Sequence, residues 1–288
     1  MGTTLATQKT IRIAIGQLAM RWTCEENTVA ILSAIHLAAD RGATICVFPE
    51  LGITGFHRKI ASQAIPSAVD AALGTVQAAC ARRSVAVAVG APSFGETGQI
   101  FNSHMHVNEL GELLAVSAKN GLTPSEATFF TAGATRPVSN LHGLSCASVL
   151  CREVEDLNLL AEQLPKGRAD LIFWPSLVGR PPACPPDPDE VNYLPLAQAL
   201  AVQSDAYLVQ SNWPNSLNYP EEGTHAGESI VVAPSGEVLL TLPRAQAGLA
   251  VFTLGERRYE WFPEEASQTP NAAATSVFHC DTKAALSA

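Results

Sequence analysis

Apolar positions in this chain follow two patterns that alternate along the sequence. The run IRIAIGQL (11–18) is mostly apolar, which is typical of a buried strand, whereas NTVAILSAIHLAADRG (27–42) carries apolar residues at helical spacing and stops at Gly42. The same patterns predict further strands at about 43–50, 84–91, 100–107, 112–118, 144–150, 169–175 and 206–212, two more within 227–242, and further helices at about 66–83, 154–164 and 190–204. Continuous apolar strands with interposed helices predict a layered α/β fold with helices on both outer sides.

The continuity of this pattern favours a single domain. The chain has 288 residues, 47% of them hydrophobic, which suffices for one large domain or two small ones. Strands and helices continue on both sides of the Pro-rich segment GRPPACPPDPDE (179–190), so we interpret it as a loop over a surface or pocket. We therefore expect one domain over 1–288, with a core at about 10–262 and an Ala-, Ser- and Thr-rich tail (263–288) that is a candidate dimer arm.

Charge and composition exclude several classes of partner. The net charge is -9 and the sequence contains no Lys/Arg cluster, which disfavours a nucleic-acid surface. No uncharged apolar run reaches the roughly 18–20 residues of a membrane span, and MGTTLATQKT lacks the apolar stretch of a secretory signal. The seven cysteines show no CxxC spacing, so we expect reduced thiols in a cytoplasmic protein that acts on a small molecule.

Three predicted strands end in residues that carry chemistry. ATICVFPE ends at Glu50, ELLAVSAK at Lys119 and LSCASVLC at Cys151. In α/β folds, ligand sites gather beyond the carboxyl ends of strands. A thiol, a carboxylate and an ammonium are the groups needed to attack a carbonyl or nitrile carbon and to stabilise the resulting charge. Each of these residues alone is more often a solvated side chain or core packing, so the prediction depends on their joint occurrence.

The segments around these residues resemble those of the nitrilase superfamily, the carbon-nitrogen hydrolases. FPELGITGF resembles the segment of the catalytic Glu, KNGLTPSEATFFTAG that of the Lys with a second Glu, and LCRE that of the nucleophile. Further resemblances follow in the family's order at IRIAIGQ, IFNSHMHVNELGELL, RADLIFWPS and GESIVVAPSGEVL. The resemblance covers about residues 10–253.

This resemblance implies a four-layer α-β-β-α sandwich and a Glu-Lys-Cys triad. Cys151 would be the nucleophile that forms a thioester, Glu50 the base and Lys119 the stabiliser of the oxyanion. Glu126, the fourth catalytic candidate, would hold Lys119 and help to orient the substrate or the proton transfers. The expected reaction is cleavage of a small linear amide to ammonia and a carboxylic acid. We expect no cofactor and no metal, and the resemblance implies a homodimer or higher homo-oligomer.

Residues near the nucleophile are candidates for substrate binding. Many superfamily members place an aromatic or small polar side chain directly after the Cys, where this chain has Arg152. Arg152 could bind a substrate carboxylate, raise the thiolate fraction of the nucleophile, or form an ion pair with a neighbouring carboxylate. The full set of candidates is Arg152, Glu153, Trp174, Phe56 and Arg180, although Glu153 also suits the start of a helix and the aromatic residues also suit a core.

Other functions compete with the amidase prediction. N-carbamoyl amino acid or amine hydrolases are one alternative, and those that act on amino acids must hold a substrate carboxylate near the nucleophile. Nitrilases, the other alternative, usually carry Trp after the Cys. A catalytically silent member that binds a ligand is the non-enzyme alternative. His104 and His106 share one face of a probable strand and could be metal ligands, but no third ligand has convincing spacing. The sequence contains no GxSxG, GxGxxG or P-loop motif that would indicate serine-hydrolase or nucleotide chemistry.

Overall fold

The computed structural model describes residues 10–179, 191–218 and 226–264, together with the backbone of a strand at 276–279. Within these ranges the α-helices are α1 (Cys24–Asp40), α2 (Ile60–Gln63), α3 (Pro66–Arg83), α4 (Leu157–Gln163) and α5 (Tyr193–Ser204). Two 3-10 turns lie at Glu126–Thr128 and Cys151–Glu155. None of the helices in the described ranges has the length and apolar character needed to cross a membrane.

The strands of the described residues form two sheets. In chain order they are β1 (Arg12–Gln17), β2 (Ile45–Val47), β3 (Ala86–Phe94), β4 (Ile100–Val107), β5 (Leu113–Ala118), β6 (Ser139–Leu141), β7 (Leu144–Ser148), β8 (Leu171–Ser176), β9 (Tyr207–Asn212), β10 (Ile230–Val232), β11 (Val238–Thr241), β12 (Gly248–Thr253), β13 (Arg258–Pro263) and β14 (Ser276–His279). The larger sheet has the order β14-β13-β12-β1-β2-β3-β4-β5, and the smaller has the order β11-β10-β9-β8-β7-β6. Strands β1, β2 and β3 are parallel, as are β7, β8 and β9, so each sheet has a parallel centre whose strand ends share one edge.

Local sequence explains the ends of the two long helices. Before α1, the Thr23 hydroxyl accepts from the Glu26 N–H while the Glu26 carboxylate accepts from the Thr23 N–H, which is a capping box. Helix α3 begins with Pro66, whose ring fixes a helical φ, and ends at Ser84, which adopts a left-handed φ of 53°. Sequence signals at the helix ends therefore agree with the structure.

Three apolar clusters define the layers of the fold. Helices α1 and α3 bury residues such as Ile35 and Val76 against one face of the larger sheet. Helices α4 and α5 bury Leu160 and Leu200 against the smaller sheet. Between the sheets, side chains from both form one inner cluster that includes Phe173 of β8. This order of helix, sheet, sheet and helix confirms the predicted four-layer α-β-β-α sandwich.

Some elements differ from the sequence-based prediction. The pattern does not predict β12 and β13, and β12 pairs antiparallel with β1 near the middle of the larger sheet. The predicted helix at 154–164 is instead a 3-10 turn followed by α4, because the chain reverses at the end of β7 before a regular helix begins. Within the predicted tail, β14 pairs with β13 of the same chain, while 265–275 and 280–288 lie outside the described residues.

Gly90 on β3 lies directly beneath the backbone that carries Glu50. A Cβ atom built on Gly90 would lie 2.3 Å from the Leu51 nitrogen, 2.4 Å from the Pro49 oxygen and 2.9 Å from the Glu50 carbonyl carbon. The Gly90 carbonyl also accepts a 2.9 Å hydrogen bond from the Ile53 N–H. Backbone atoms cannot move aside as a flexible side chain can, so only glycine permits this close approach.

We expect Gly90→Ala to lower the free energy of unfolding by about 1–3 kcal/mol, because the added methyl group must displace the loop after β2. The matched control is Gly74→Ala on α3, where an added Cβ meets nothing within 4 Å. That control should gain up to about 1 kcal/mol from helix propensity. Urea unfolding followed by circular dichroism compares the two, and similar stabilities for both variants would contradict the close approach.

Candidate active site

Strand ends from the two sheets bring the predicted triad together. Glu50 lies in the loop after β2, Lys119 directly follows β5, and Cys151 opens the 3-10 turn after β7. All three side chains are buried, and Lys119 and Cys151 line one pocket together with Glu126. The larger sheet therefore supplies the carboxylate and the ammonium, and the smaller sheet supplies the thiol.

A buried ion cluster is centred on Lys119. Its ammonium nitrogen, Nζ, lies 2.7 Å from Glu50 Oε1 and 2.5 Å from Glu126 Oε1. The second oxygen of Glu126 accepts a 2.8 Å hydrogen bond from the Thr123 N–H. One cation is thus shared by two carboxylates, and it is held at a fixed position by both.

The Glu50 carboxylate is anchored through one oxygen only. Oε1 accepts from Lys119 and, at 2.8 Å, from the amide of Asn102, while the Glu50 backbone carbonyl accepts a 2.8 Å hydrogen bond from the Trp213 indole. Within the described part of the chain, the buried Oε2 atom has no hydrogen-bond partner. The carboxylate is therefore fixed in orientation and keeps one oxygen available for a proton.

The buried environment changes the proton affinities of this cluster. Burial raises the pKa of Glu50, although the charge of Lys119 opposes the increase. Burial alone would lower the pKa of Lys119, but the negative charges of Glu50 and Glu126 outweigh it and raise that pKa above the ordinary value. A carboxyl with a raised pKa beside a permanent cation is suited to accept and return a proton.

Cys151 lies at a strained point of the backbone. Its φ is 49°, in the left-handed region that non-glycine residues rarely adopt. The Trp174 indole donates a 2.8 Å hydrogen bond to the Cys151 carbonyl and holds the turn, and the sulfur lies 3.8 Å from the Leu177 carbonyl oxygen. Burial, reinforced by the charge of Glu50, raises the pKa of the thiol to about 12. The resting sulfur is therefore protonated near neutral pH.

Glu153 connects the nucleophile turn to the loop after Lys119. Its Oε1 accepts from the backbone N–H groups of Asn120 at 2.5 Å and Gly121 at 3.4 Å. Its Oε2 accepts from the Leu150 N–H at 2.7 Å and from Arg136 Nη1 at 3.0 Å. Because both oxygens are occupied by protein donors, the geometry favours a structural role, and the predicted role in substrate binding stays a prediction.

Arg136 is the buried partner of Glu153. Besides the ion pair, its Nη1 donates to the Ser148 carbonyl and its Nε donates at 3.1 Å to Gln163 of α4. The guanidinium thus joins β7, the nucleophile turn and α4. A buried arginine with several acceptors is a strong geometric constraint on the elements that it contacts.

Arg152 is held by a carboxylate at the pocket wall. Its Nη2 lies 3.0 Å from Glu155 Oε2, and the other Glu155 oxygen accepts a 2.9 Å hydrogen bond from the Tyr193 hydroxyl. Burial and the hydrogen bond to Glu155 raise the pKa of Tyr193. The pocket wall includes all three residues, Arg152, Glu155 and Tyr193. The guanidinium of Arg152 therefore borders the pocket as one half of an ion pair with Glu155.

The remaining predicted binding residues differ in how the structure places them. Phe56 and Trp174 line the pocket, and the Phe56 ring centroid lies 5.8 Å from Lys119 Nζ. Trp174 is 1% exposed, so it combines a core position with contact to the pocket. Arg180 lies outside the described residues.

The side chains of His104 and His106 are buried between the sheets. All four ring nitrogens face protein oxygen atoms, which belong to Phe48, Ser148 and Ser139. Among the residues with described positions, no group of three or more potential ligands could hold a metal ion. The two rings therefore serve hydrogen bonds within the protein.

Several residues of the site were not among the sequence candidates. Asn102 lies in the hairpin segment that resembled the family, and this segment was the one available signal for it. Glu155 is the neighbouring carboxylate that pairs with Arg152, one of the possibilities that the sequence left open for this arginine. Arg136 and Tyr193 carry no sequence signal, because their roles depend on contacts between elements distant along the chain.

Comparison with known proteins identifies the family. The sequence matches the carbon-nitrogen hydrolase family model over residues 12–261, and the chain therefore belongs to the carbon-nitrogen hydrolase family. With the structural neighbours below, this makes it a hydrolase of carbon-nitrogen bonds other than peptide bonds. A comparison with curated proteins found no match.

Similar solved structures come from an amidase of Nesterenkonia sp., described as a member of the nitrilase superfamily. Its crystal structure has 26% sequence identity and a TM-score of 0.72, covering 88% of this chain and 94% of that chain. A Cys-to-Ala mutant in complex with butyramide has 27% identity and a TM-score of 0.73, covering 87% and 94%. A Glu-to-Gln mutant with acrylamide added at the active-site cysteine has 26% identity and a TM-score of 0.71, covering 84% and 92%. These similarities confirm the resemblance seen in the sequence.

We expect Glu153→Ala to lower the free energy of unfolding by about 3–5 kcal/mol, because Arg136 is left buried without its carboxylate and three N–H groups lose their acceptor. The matched control is Glu237→Ala, which breaks the exposed ion pair with Arg257 and should cost less than about 1 kcal/mol. Urea unfolding measures both. Equal losses in the two variants would show that Glu153 does not join the two loops.

Proposed function

We propose that this protein is an amidase that hydrolyses a small linear amide through a Cys151 thioester. The proposal rests on the hydrogen bonding of the Glu50 carboxylate. Its Oε1 atom accepts hydrogen bonds from Lys119 and Asn102, whereas its Oε2 atom has no hydrogen-bond partner among the described residues. A base of this kind is needed because the neighbouring thiol is protonated at rest. The similar amidase structures, with butyramide bound or acrylamide added at the active-site cysteine, support the same chemistry.

Acylation begins when Glu50 accepts the proton of the Cys151 thiol as the sulfur attacks the amide carbon. The carbonyl π electrons move to oxygen, and the oxyanion is stabilised by the ammonium of Lys119 and the backbone N–H of Arg152. The intermediate then collapses and the carbon-nitrogen bond breaks. Glu50 returns its proton to the leaving nitrogen, so ammonia departs and the acyl group remains on sulfur as a thioester.

Deacylation repeats the same proton movements with water as the nucleophile. Glu50 accepts a proton from water as the oxygen attacks the thioester carbonyl, and Lys119 again stabilises the oxyanion. The carbon-sulfur bond breaks, the carboxylic acid leaves, and Glu50 returns the proton to sulfur. Glu126 stays a positioning residue in this scheme, because its carboxylate holds the ammonium between the two acids.

The charge of the pocket wall favours a neutral substrate. Arg152 is paired with Glu155, and a second pocket arginine, Arg244, lies 2.7 Å from Glu228. Each of these two arginines already forms an ion pair with a carboxylate of the protein. Neither guanidinium is therefore free to neutralise a carboxylate on the substrate. This arrangement supports a linear amide over an N-carbamoyl amino acid. We retain the homodimer and the single domain over 1–288 as parts of the proposal.

The nucleophile is tested by Cys151→Ala, which we expect to abolish ammonia release from propionamide and butyramide, because no thioester can form. The matched control is Cys146→Ala on β7, a buried cysteine on the strand that precedes the Cys151 turn, whose side chain belongs to the apolar cluster between the sheets. This control should keep most of the activity. Ammonia is measured with a coupled glutamate dehydrogenase assay.

The same assay tests the substrate class. We expect kcat/KM for butyramide to exceed that for succinamic acid and N-carbamoyl-β-alanine, which carry a carboxylate, by about tenfold or more. A preference for the carboxylate compounds would overturn the assignment of a neutral amide. Activity that persists in Cys151→Ala, or a wild-type protein that releases no ammonia from any compound, would overturn the mechanism.

The raised pKa of Glu50 predicts an acid limb in the pH profile. The base works only when ionised, so kcat/KM falls as pH drops through that pKa, above the ordinary carboxyl value of about 4.3. The Asn102 hydrogen bond stabilises the carboxylate and lowers its pKa, so Asn102→Leu should move the limb to higher pH. A limb that stays in place or moves to lower pH in Asn102→Leu would contradict Glu50 as the base.

A further inference from the structure

One face of β4 carries three polar side chains in a row. Asn102, His104 and His106 alternate along the strand, so all three side chains point to the same face, toward the smaller sheet. Each of the three is 0% exposed. The row lies beside the apolar cluster between the sheets, and each buried polar group in such a place needs a hydrogen-bond partner.

The two histidines form a continuous chain of hydrogen bonds between the sheets. His104 Nε2 lies 3.3 Å from the Phe48 carbonyl oxygen, and His104 Nδ1 lies 2.7 Å from Ser148 Oγ. The same Ser148 hydroxyl lies 2.7 Å from His106 Nε2, and His106 Nδ1 lies 2.8 Å from Ser139 Oγ. The Ser148 hydroxyl on β7 is therefore the hydrogen-bond partner that the two rings share.

The Phe48 carbonyl fixes the direction of every bond in this chain. A carbonyl only accepts, so His104 Nε2 carries the hydrogen and its Nδ1 accepts from the Ser148 hydroxyl. Ser148 has then used its only hydrogen and must accept from His106 Nε2–H. The remaining His106 nitrogen accepts from Ser139. Every group is satisfied with both rings neutral.

Burial agrees with this assignment. It lowers the pKa of His104 well below its ordinary value, and it lowers the pKa of His106 to about 4. Both rings therefore stay neutral near pH 7, and the order of donors and acceptors is maintained. Each group in this chain can satisfy its hydrogen bonds in only one donor and acceptor assignment. The chain therefore holds its members in a defined geometry.

The connection joins the two sheets beside the reacting groups. Phe48 lies two residues before Glu50, and Ser148 lies three residues before Cys151. Asn102, the first member of the same row, contacts the Glu50 carboxylate itself. Apolar packing between sheets is non-directional and tolerates small shifts, whereas these hydrogen bonds fix the position of β7 relative to the end of β2.

We propose that His104, His106 and Ser148 are positioning residues that set the placement of the Cys151 sulfur relative to the Glu50 carboxylate. The proposal rests on the function proposed above, because it assigns these residues to the geometry of that thiol and base. It predicts that loss of the Ser148 hydroxyl harms the chemical step without removing any group that touches the substrate.

The test is Ser148→Ala, with Ser117→Ala as the matched control. Ser117 lies opposite His104 in the β4–β5 pairing and is 1% exposed, but its hydroxyl has no hydrogen-bond partner within the described residues. We expect Ser148→Ala to lower kcat about tenfold or more with KM within about twofold, because a small displacement of reacting groups has a large effect on rate. Ser117→Ala should behave as the wild type.

A second readout does not depend on the substrate. Alkylation of Cys151 by iodoacetamide, followed by mass spectrometry of the Cys151 peptide, should be slower in Ser148→Ala and unchanged in Ser117→Ala. Slower alkylation supports the positioning role even if the wild type hydrolyses no amide. The alkylation assay therefore tests the positioning role, and the ammonia assay tests the proposed function. Ser148→Thr, which keeps a hydroxyl, should recover most of the rate.

Wild-type kcat and alkylation rates in Ser148→Ala would overturn the proposal, as would an equal loss in Ser117→Ala. If Ser148→Ala does not fold, Ser139→Ala decides the question, because it removes only the outermost member of the chain. We expect a smaller decrease in both rates, about twofold to threefold, since His106 loses one partner and keeps the other. Unchanged rates in Ser139→Ala would then reject the proposal.

Discussion

The buried ammonium of Lys119 is the interaction on which the site depends. Two carboxylates and a thiol lie around one buried cation, and their arrangement is stable only because each acid has the ammonium or a fixed donor beside it. Removal of the cation would leave Glu50 and Glu126 as buried acids without the ammonium that both now contact. The same cation that stabilises the folded site is the charge that the proposed mechanism uses on the oxyanion.

The architecture divides the reacting groups between two sheets, so their geometry depends on contacts that cross the sandwich. Glu153 connects the nucleophile turn to the loop after β5, and Arg136 extends this connection to α4. The row of polar side chains on β4 forms a second connection deeper between the sheets. Strain at Cys151 can persist because these directional contacts surround it, while apolar packing supplies most of the stability.

Sequence alone predicts a layered α/β fold, because periodicity marks strands and helices, and it places the three candidate residues at strand ends. The resemblance to the carbon-nitrogen hydrolases supplies the four-layer arrangement and the proposed triad. It does not predict β12, whose place beside β1 is set by pairing between segments far apart in the chain. For the same reason it does not identify Arg136 or Tyr193, which act through contacts with distant elements. The ion pair of Arg152 was one of several open possibilities, and three-dimensional placement was needed to choose Glu155.

The left-handed backbone at Cys151 limits which amino acids can occupy the position of the proposed nucleophile. A φ of 49° brings the Cβ atom close to the backbone, and a second branch at that carbon makes the conformation much less accessible. Threonine is therefore a poor substitute at this turn, although its hydroxyl is a nucleophile in other hydrolases. Of the common nucleophilic side chains, the unbranched cysteine and serine fit this backbone. The turn thus restricts the chemistry open to this enzyme before any contact with a substrate is considered.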